Sequence, residues 1–161
     1  MKSMRPNRFI RIANRMVAFL IRTRIPVGSM ALLTVTGRRS GLPRTTPVTL
    51  TPYRDGWSLG SPFGVVDWVK NLRAAGEAEI LRRGQTIRVT AEELGPEEAA
   101  AVLKENLSDL GPVARRVLGG YFDVPLDAPL ADWEREAPRH PTFILREQTL
   151  RRRSEPTGAG T

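Results

Sequence analysis

Strand-forming segments that follow one another through tight turns constrain this fold more than any other feature of the sequence. Strands are predicted at 30–36, 45–54, 57–61, 77–83, 85–94 and 141–147. Asp55-Gly56 and Gly84 are typical of hairpin turns between such strands. Because no crossover helix separates the first three strands, a doubly wound parallel sheet is disfavoured, and an antiparallel sheet or small barrel is favoured. Pro47 and Pro52 place the second strand at a sheet edge or at bulges, since proline cannot donate a ladder hydrogen bond.

Helices are predicted at the periphery of this sheet. Asp67 can cap a short helix at 68–75, which Gly76 closes. Pro96 suits the first turn of a helix that runs to about residue 107. The segment 112–136 is predicted to be helical in part. The predicted fold class is therefore α+β and mainly β.

The N-terminal segment carries most of the chain's positive charge. The formal net charge is +8, and the first 24 residues contain seven basic residues and no acid. Residues 7–24 predict an amphipathic helix with arginines on one face and apolar residues on the other. This helix could pack on the domain with a solvated basic face, dock on an anionic membrane surface or contact nucleic acid. We expect three parts: the helical segment 1–26, a barrel domain 27–150 and a disordered tail 151–161.

Composition excludes several kinds of site. The 161 residues include no cysteine and one histidine, His140, so a metal site is not expected. No apolar run approaches the roughly 20 residues that span a bilayer, and arginines interrupt any secretory signal. We therefore expect a cytoplasmic protein, with peripheral contact at the inner face of the membrane through 7–24 as an option. His140 is interpreted as a hydrogen-bonded residue at the entry to the last strand, and Trp133 as a packing anchor.

The segment 37–44 is the first candidate binding site. Two glycines bracket Arg38, Arg39 and Ser40 between two predicted strands, and Arg44 follows. Guanidinium groups, a hydroxyl and the free N–H groups of a glycine turn suit phosphate or carboxylate. The alternative is an ordinary basic turn that faces solvent.

The segment 61–73 is the second candidate. Trp68 and Asn71 share one face of a short helix that follows a Ser-Pro-Phe-Gly loop. An indole and an amide in this arrangement could line a flat heteroaromatic ligand. The alternative is that Trp68 belongs to the core and Asn71 is a cap or a surface group.

Two strings in these segments resemble the deazaflavin-dependent nitroreductase family. They are Thr-Gly-Arg-Arg-Ser-Gly-Leu-Pro-Arg at 36–44 and Asp-Trp-Val-Lys-Asn-Leu-Arg-Ala at 67–74, about thirty residues apart. The family belongs to the flavin-type split β-barrels and uses coenzyme F420. The resemblance implies an antiparallel split β-barrel with an N-terminal amphipathic helix, which in this family can also cover the substrate site.

The resemblance also implies roles for individual residues. Arg38, Arg39, Ser40 and Arg44, with Gly41 in their turn, would hold the coenzyme's phosphate and glutamyl tail. The remaining implied contacts lie along the deazaflavin ring: Pro47, Ser61, Pro62, Phe63, Gly64, Trp68 and Asn71. The proton donor or substrate contact stays open among Tyr53, Ser61 and Tyr121.

The function expected on this basis is hydride transfer from reduced deazaflavin to an apolar activated acceptor. Quinones, enones, nitro compounds and unsaturated lipid-like molecules are the acceptor classes considered. The alternatives are a carrier that binds F420 or FMN without turnover and, less favoured, a membrane- or nucleic-acid-binding module. FMN stays open as an alternative cofactor, and a homodimer is considered because split barrels often dimerise.

Overall fold

A seven-stranded antiparallel sheet forms the framework of the domain. The computed structural model describes residues 29–148. Its strands are β1 (Met30–Thr36), β2 (Pro43–Thr49), β3 (Thr51–Tyr53), β4 (Gly56–Gly60), β5 (Glu77–Arg82), β6 (Gln85–Glu93) and β7 (Thr142–Glu147). Four α-helices and one 3₁₀ turn accompany them: α1 (Asp67–Ala75), α2 (Pro96–Ser108), α3 (Pro112–Gly119), α4 (Leu130–Glu136) and the 3₁₀ turn Ala137–Arg139.

The order of the strands requires the sheet to curl. The order is β2-β1-β5-β6-β7-β4-β3, with every neighbouring pair antiparallel. β2 and β3 therefore occupy opposite edges, yet only Leu50 separates them along the chain. A flat sheet cannot bring its two edges within one residue, so the sheet closes into the half-barrel of the split-barrel fold, as predicted. The Leu50 N–H donates to the Ser29 carbonyl at 3.0 Å and ties this closure to the start of β1.

The strand predicted at 45–54 is two strands rather than one. It breaks at Leu50, where the chain passes from one edge of the sheet to the other. The edge position predicted from the prolines is confirmed, because Pro47 lies in β2 and Pro52 in β3, and both are edge strands.

The predicted β3–β4 turn is displaced by one residue. Tyr53 pairs with Gly56, so Arg54 and Asp55 form the turn, and Arg54 has a φ of 51°. Gly56 is a strand residue whose missing side chain matters, because a Cβ there would lie 2.1 Å from the Leu145 carbonyl oxygen. Glycine is required here by the close approach of β7 rather than by the turn.

Helix α1 begins one residue earlier than predicted. Asp67 is its first residue, Val66 occupies the N-cap position, and no side chain caps the helix. The predicted stop is correct, because Gly76 adopts a left-handed φ of 67° and its N–H bonds to the Leu72 carbonyl. The carboxylate of Asp67 is thereby free for a contact outside its own helix.

Two separate hydrophobic clusters stabilise the domain. The inner face of the sheet packs against α1 through Leu33, Ile80, Val69 and Leu72, among others. The second cluster joins α2 to the C-terminal helices and includes Leu103 and Leu107, with further members Ala99, Ala100, Phe122, Ala128, Trp133 and Ala137. The segment 61–66 connects β4 to α1.

The termini fall outside the described residues. The predicted helix at 7–24, its membrane or nucleic-acid contacts and the tail at 151–161 all lie there. Among residues 29–148, no helix is both long enough and apolar enough to cross a bilayer.

Candidate functional site

The turn between β1 and β2 is narrow because of its two glycines. The Gly37 N–H donates to the Leu42 carbonyl and the Gly41 N–H to the Gly37 carbonyl, both at 2.8 Å. Gly41 has a φ of +66°, in the left-handed region that favours glycine. A Cβ on Gly37 would lie 2.8 Å from the Ser40 Oγ. The turn thus places three consecutive polar side chains, Arg38, Arg39 and Ser40, at one end of the sheet.

Arg38 is held by the side chains of α1. The Asn71 Oδ1 accepts from the Arg38 backbone N–H at 3.2 Å and from its Nη1 at 2.8 Å. The Arg38 Nη2 lies 3.3 Å from the Asp67 Oδ1. Asp67 and Asn71 are four residues apart, so both lie on the same face of α1. The buried amide and the carboxylate together orient the guanidinium, whose side chain is 24% exposed.

A cleft of about 670 Å³ opens beside this turn. Its charged lining consists of three arginines, Arg38, Arg39 and Arg44, and one acid, Asp67. Hydroxyl groups, apolar surface and one amide complete it: Ser40, Thr45, Thr46, Val35, Gly37, Pro43, Trp68 and Asn71. Within residues 29–148, Arg39 and Arg44 form no ion pair, whereas Arg38 does. Unpaired guanidiniums next to hydroxyls and an indole suit a ligand with anionic groups and a flat ring.

The cleft gathers half of the residues predicted to bind the coenzyme. Arg38, Arg39, Ser40, Arg44, Trp68 and Asn71 line it. Gly41 shapes the turn but does not line the cleft, and Pro47 lies half-buried opposite Leu32 in β2. Asn71 is neither a helix cap nor a surface group, since it is buried against Arg38.

The loop at 61–64 is built as a separate, well-anchored unit. The Ser61 N–H donates to the Pro141 carbonyl at 2.9 Å, and its hydroxyl donates to the Gly64 carbonyl at 2.6 Å. Phe63 is 53% exposed and packs edge-on against Tyr121, with ring centroids 4.8 Å apart. The loop leads directly into α1, whose first two residues line the cleft. An aromatic surface therefore lies close along the chain to the arginine-lined cleft.

The three candidate hydroxyls differ in their surroundings. The Tyr53 hydroxyl donates to the Glu98 Oε1 at 3.1 Å, and the Arg54 guanidinium lies 2.8 Å from the same oxygen. Burial and this hydrogen bond raise the pKa of Tyr53, which makes it a weaker acid. The Ser61 hydroxyl is fully buried on its own loop. Tyr121 is half-buried at the aromatic surface.

His140 and Trp133 occupy the positions expected of structural residues. His140 directly precedes the last strand region, is buried, and is hydrogen-bonded through both ring nitrogens. Trp133 is fully buried and packs on Phe122 with ring centroids 5.4 Å apart. Among the described residues, no group of three or more His, Cys, Asp or Glu side chains could hold a metal ion.

Several residues that line the cleft were not predicted from the sequence. Thr45 and Thr46 line the cleft as the start of the strand that follows the arginine turn. Asp67 was predicted as a helix cap and instead pairs with Arg38. Proximity to the turn would have indicated the threonines, but nothing local indicates the partner of Asp67, which is 29 residues away.

Comparisons with known proteins identify the family and the fold of this chain. A family model for F420H2-dependent quinone reductases matches residues 7–113. No curated protein matches the chain significantly. A solved F420-H2-dependent reductase is 20% identical with a TM-score of 0.51, over 73% of this chain and 94% of that chain. A structure described as a domain-swapped dimer is 17% identical with a TM-score of 0.53, over 88% of this chain and 100% of that chain. At these identities the structural likeness establishes the fold alone. The family match, which spans most of the chain, carries the assignment: the protein belongs to the F420H2-dependent quinone reductases, split-barrel enzymes whose cofactor is coenzyme F420.

Proposed function

We propose that this reductase transfers a hydride from reduced coenzyme F420 to an apolar quinone-type acceptor. The observation that carries the proposal is the cleft at the arginine turn, where Arg39 and Arg44 have no ion-pair partner among the described residues. The coenzyme's phosphodiester and glutamyl carboxylates are the anions that such guanidiniums bind. Enones, nitro compounds and unsaturated lipid-like molecules are further acceptors with the same requirement for a hydride.

The residues of the cleft would bind and orient the coenzyme. Arg39, Arg44 and the Ser40 hydroxyl would hold its phosphate and tail, and Arg38 is already oriented by Asn71. Trp68, half-buried at the head of α1, offers an aromatic wall to the ring. Pro47 and the loop at 61–64 complete the proposed ring contacts. When bound, the deazaflavin supplies the hydride, so the chain itself has to bind, align and exclude water.

The aromatic surface formed by Phe63 and Tyr121 is the proposed docking place for the acceptor. Phe63 and its neighbour Val65 are 53% and 43% exposed, so an apolar molecule can cover them. Hydride transfer to a quinone also requires one proton, which completes the hydroquinone. Tyr121 is the proposed proton donor, because the hydroxyls of Tyr53 and Ser61 already donate to Glu98 and to Gly64.

Parallel fluorescence titrations with coenzyme F420 and with FMN test the cofactor preference of the purified full chain. We expect selective binding of F420. A turnover assay with reduced F420 and menadione then tests the reaction, with an enone and a nitroimidazole as competing acceptors. Quinone reduction that exceeds reduction of the other two supports the proposed acceptor. Tight F420 binding without reduction of any acceptor would contradict it and favour a carrier.

We also propose that the protein is a homodimer. The similar structure described as a domain-swapped dimer supports this, since it aligns with 88% of this chain. The exposed edge strand β2, which pairs with β1 on one side within the described residues, is available for such an association. Light scattering coupled to size-exclusion chromatography should give twice the mass of the chain. The mass of a single chain at assay concentration would refute the dimer.

A further inference from the structure

A buried pair of polar side chains, His140 and Glu136, lies next to the residues that adjoin Phe63 and Tyr121. The His140 Nε2 is 3.0 Å from the Glu136 Oε1, and the two side chains are 6% and 5% exposed. The other ring nitrogen, Nδ1, is 3.1 Å from the Pro62 carbonyl oxygen. The proposed reaction uses neither side chain. A buried polar pair that takes no part in the chemistry needs another explanation, because burying polar groups is costly unless each is hydrogen-bonded.

The hydrogen-bond partners of His140 fix the orientation of its ring. A carbonyl oxygen can only accept, so Nδ1 donates to Pro62. The Glu136 Oε1 beside Nε2 also accepts the Asp123 backbone N–H at 3.1 Å, and its Oε2 lies 3.0 Å from the Arg139 Nη1. The imidazole is therefore held between a carboxyl group on one side and the loop at 61–64 on the other.

His140 contacts the supports of both aromatic side chains. Its Nδ1 bonds to Pro62, the residue before Phe63. Its ring packs on Phe122, the residue after Tyr121, with centroids 4.2 Å apart. Phe63 and Tyr121 come from distant parts of the chain and meet edge-on. His140 thus bonds to one of the two segments that carry these rings and packs on the other.

We propose that His140 is a positioning residue that sets the spacing of Phe63 and Tyr121 and thereby the affinity for the acceptor. Its bond to the Pro62 carbonyl performs this task, while Glu136 keeps the ring oriented. This inference rests on the proposed function, in which the acceptor docks on Phe63 and Tyr121.

Two substitutions separate the two hydrogen bonds of His140. In His140→Asn the amide nitrogen can take the place of Nδ1, so the bond to Pro62 is kept and the bond to Glu136 is lost. In His140→Gln the amide nitrogen can reach the place of Nε2, so the bond to Glu136 is kept and the bond to Pro62 is lost. Both variants replace the imidazole ring by an amide, so each serves as the control for the other.

We expect the KM for menadione to rise about tenfold in His140→Gln and to change about twofold or less in His140→Asn, since the loss of one hydrogen bond has this order of effect. The dissociation constant of F420 should be unchanged in both variants, because the cleft does not include His140. Equal KM values in the two folded variants, or a greater rise in His140→Asn, would overturn the proposal. Absence of quinone reduction by the unmodified protein would instead contradict the proposed function.

Hydrogen exchange on the coenzyme-free chain gives a readout that does not depend on activity. The Gly64 and Val66 amides bond within the loop at 3.2 and 3.0 Å, and they should exchange slowly in the unmodified protein. His140→Gln should expose them to faster exchange, and His140→Asn should not. If His140→Gln does not fold, the unmodified chain still tests the proposal, because exchange of these amides at the rate of a free peptide would overturn it.

Discussion

Buried polar groups hold two loops of this protein, and the two loops differ in whether all of their charged side chains are paired. At the arginine turn, the neutral amide of Asn71 orients Arg38, while Arg39 and Arg44 find no ion-pair partner among residues 29–148. At the loop 61–64, His140 and Glu136 satisfy each other, with Arg139 and the Asp123 N–H as further donors to the carboxylate. The arginine turn therefore leaves the guanidinium groups of Arg39 and Arg44 available to a ligand. At the loop 61–64 the polar groups bond to one another, so they fix the position of the loop.

Substitutions in the two regions should therefore differ in whether they affect F420 binding or acceptor use and stability. Changes at the arginine turn should weaken the affinity for F420 and leave the fold intact. Changes at the Glu136–His140 pair should leave that affinity intact. A loss of F420 affinity caused by a substitution at Glu136 or His140 would contradict this difference between the two regions.

The double substitution Arg39→Ala with Arg44→Ala has the largest expected effect. It should weaken F420 binding by about a hundredfold or more, because each charge-assisted contact contributes about 1.5–3 kcal/mol. Fluorescence titration measures the affinity, and the melting temperature should stay the same.

The control removes the same charge elsewhere. Arg88→Ala with Arg135→Ala deletes two arginines that pair with Glu79 and Asp132 on exposed surfaces. Coenzyme affinity should then fall only slightly, since distant exposed charges are screened by salt. Equal losses in the two double variants would show that net charge, rather than the cleft, governs binding.

Asn71→Ala has an intermediate expected effect. It removes the acceptor of two hydrogen bonds from Arg38, so the guanidinium should lose its fixed orientation. We expect F420 affinity to fall about tenfold, the order that one hydrogen bond to a charged group contributes. Asn106→Ala is the matched control, because that amide donates to the Ser58 hydroxyl in another part of the fold. Identical affinities for the two variants would contradict the orienting role of Asn71.

Glu136→Gln should have no effect on coenzyme affinity and should change the pH dependence of stability. Burial is the largest single influence and raises the pKa of Glu136, but bonds from the Asp123 N–H and His140, with the charges of His140 and Arg139, bring it below its ordinary value. A carboxyl group with a depressed folded-state pKa stabilises the protein above its unfolded-state pKa, and this stabilisation is lost as the pH falls through the folded-state pKa.

Urea unfolding at neutral and acidic pH measures this change. The free energy of unfolding of the unmodified protein should fall more steeply on acidification than that of Glu136→Gln. Parallel pH profiles for the two proteins would mean that Glu136 has the same pKa in the folded and unfolded states.

Much of the fold was predictable because its signals are local. Gly84 marks the β5–β6 hairpin, and Gly76 ends α1, where a left-handed residue is needed. The predicted turn before β4 is wrong by one residue, because Gly56 is required by the close approach of β7, which lies far away in sequence. The long strand predicted at 45–54 was divided for a similar reason, since nothing near Leu50 indicates that the two halves join opposite edges.

The candidate site divides along the same line. The arginine turn, the edge prolines, the hairpin order and the indole and amide on one face of a short helix all follow from the sequence alone. The bonds of Asn71 to Arg38, 33 residues earlier, and of His140 to Pro62, 78 residues earlier, are visible only in the folded chain. Hydrophobic periodicity and turn chemistry act over a few residues, whereas these contacts exist because curling of the sheet brings remote loops together. The chemistry of a polar side chain is evident from the sequence, whereas its hydrogen-bond partner depends on how the chain packs.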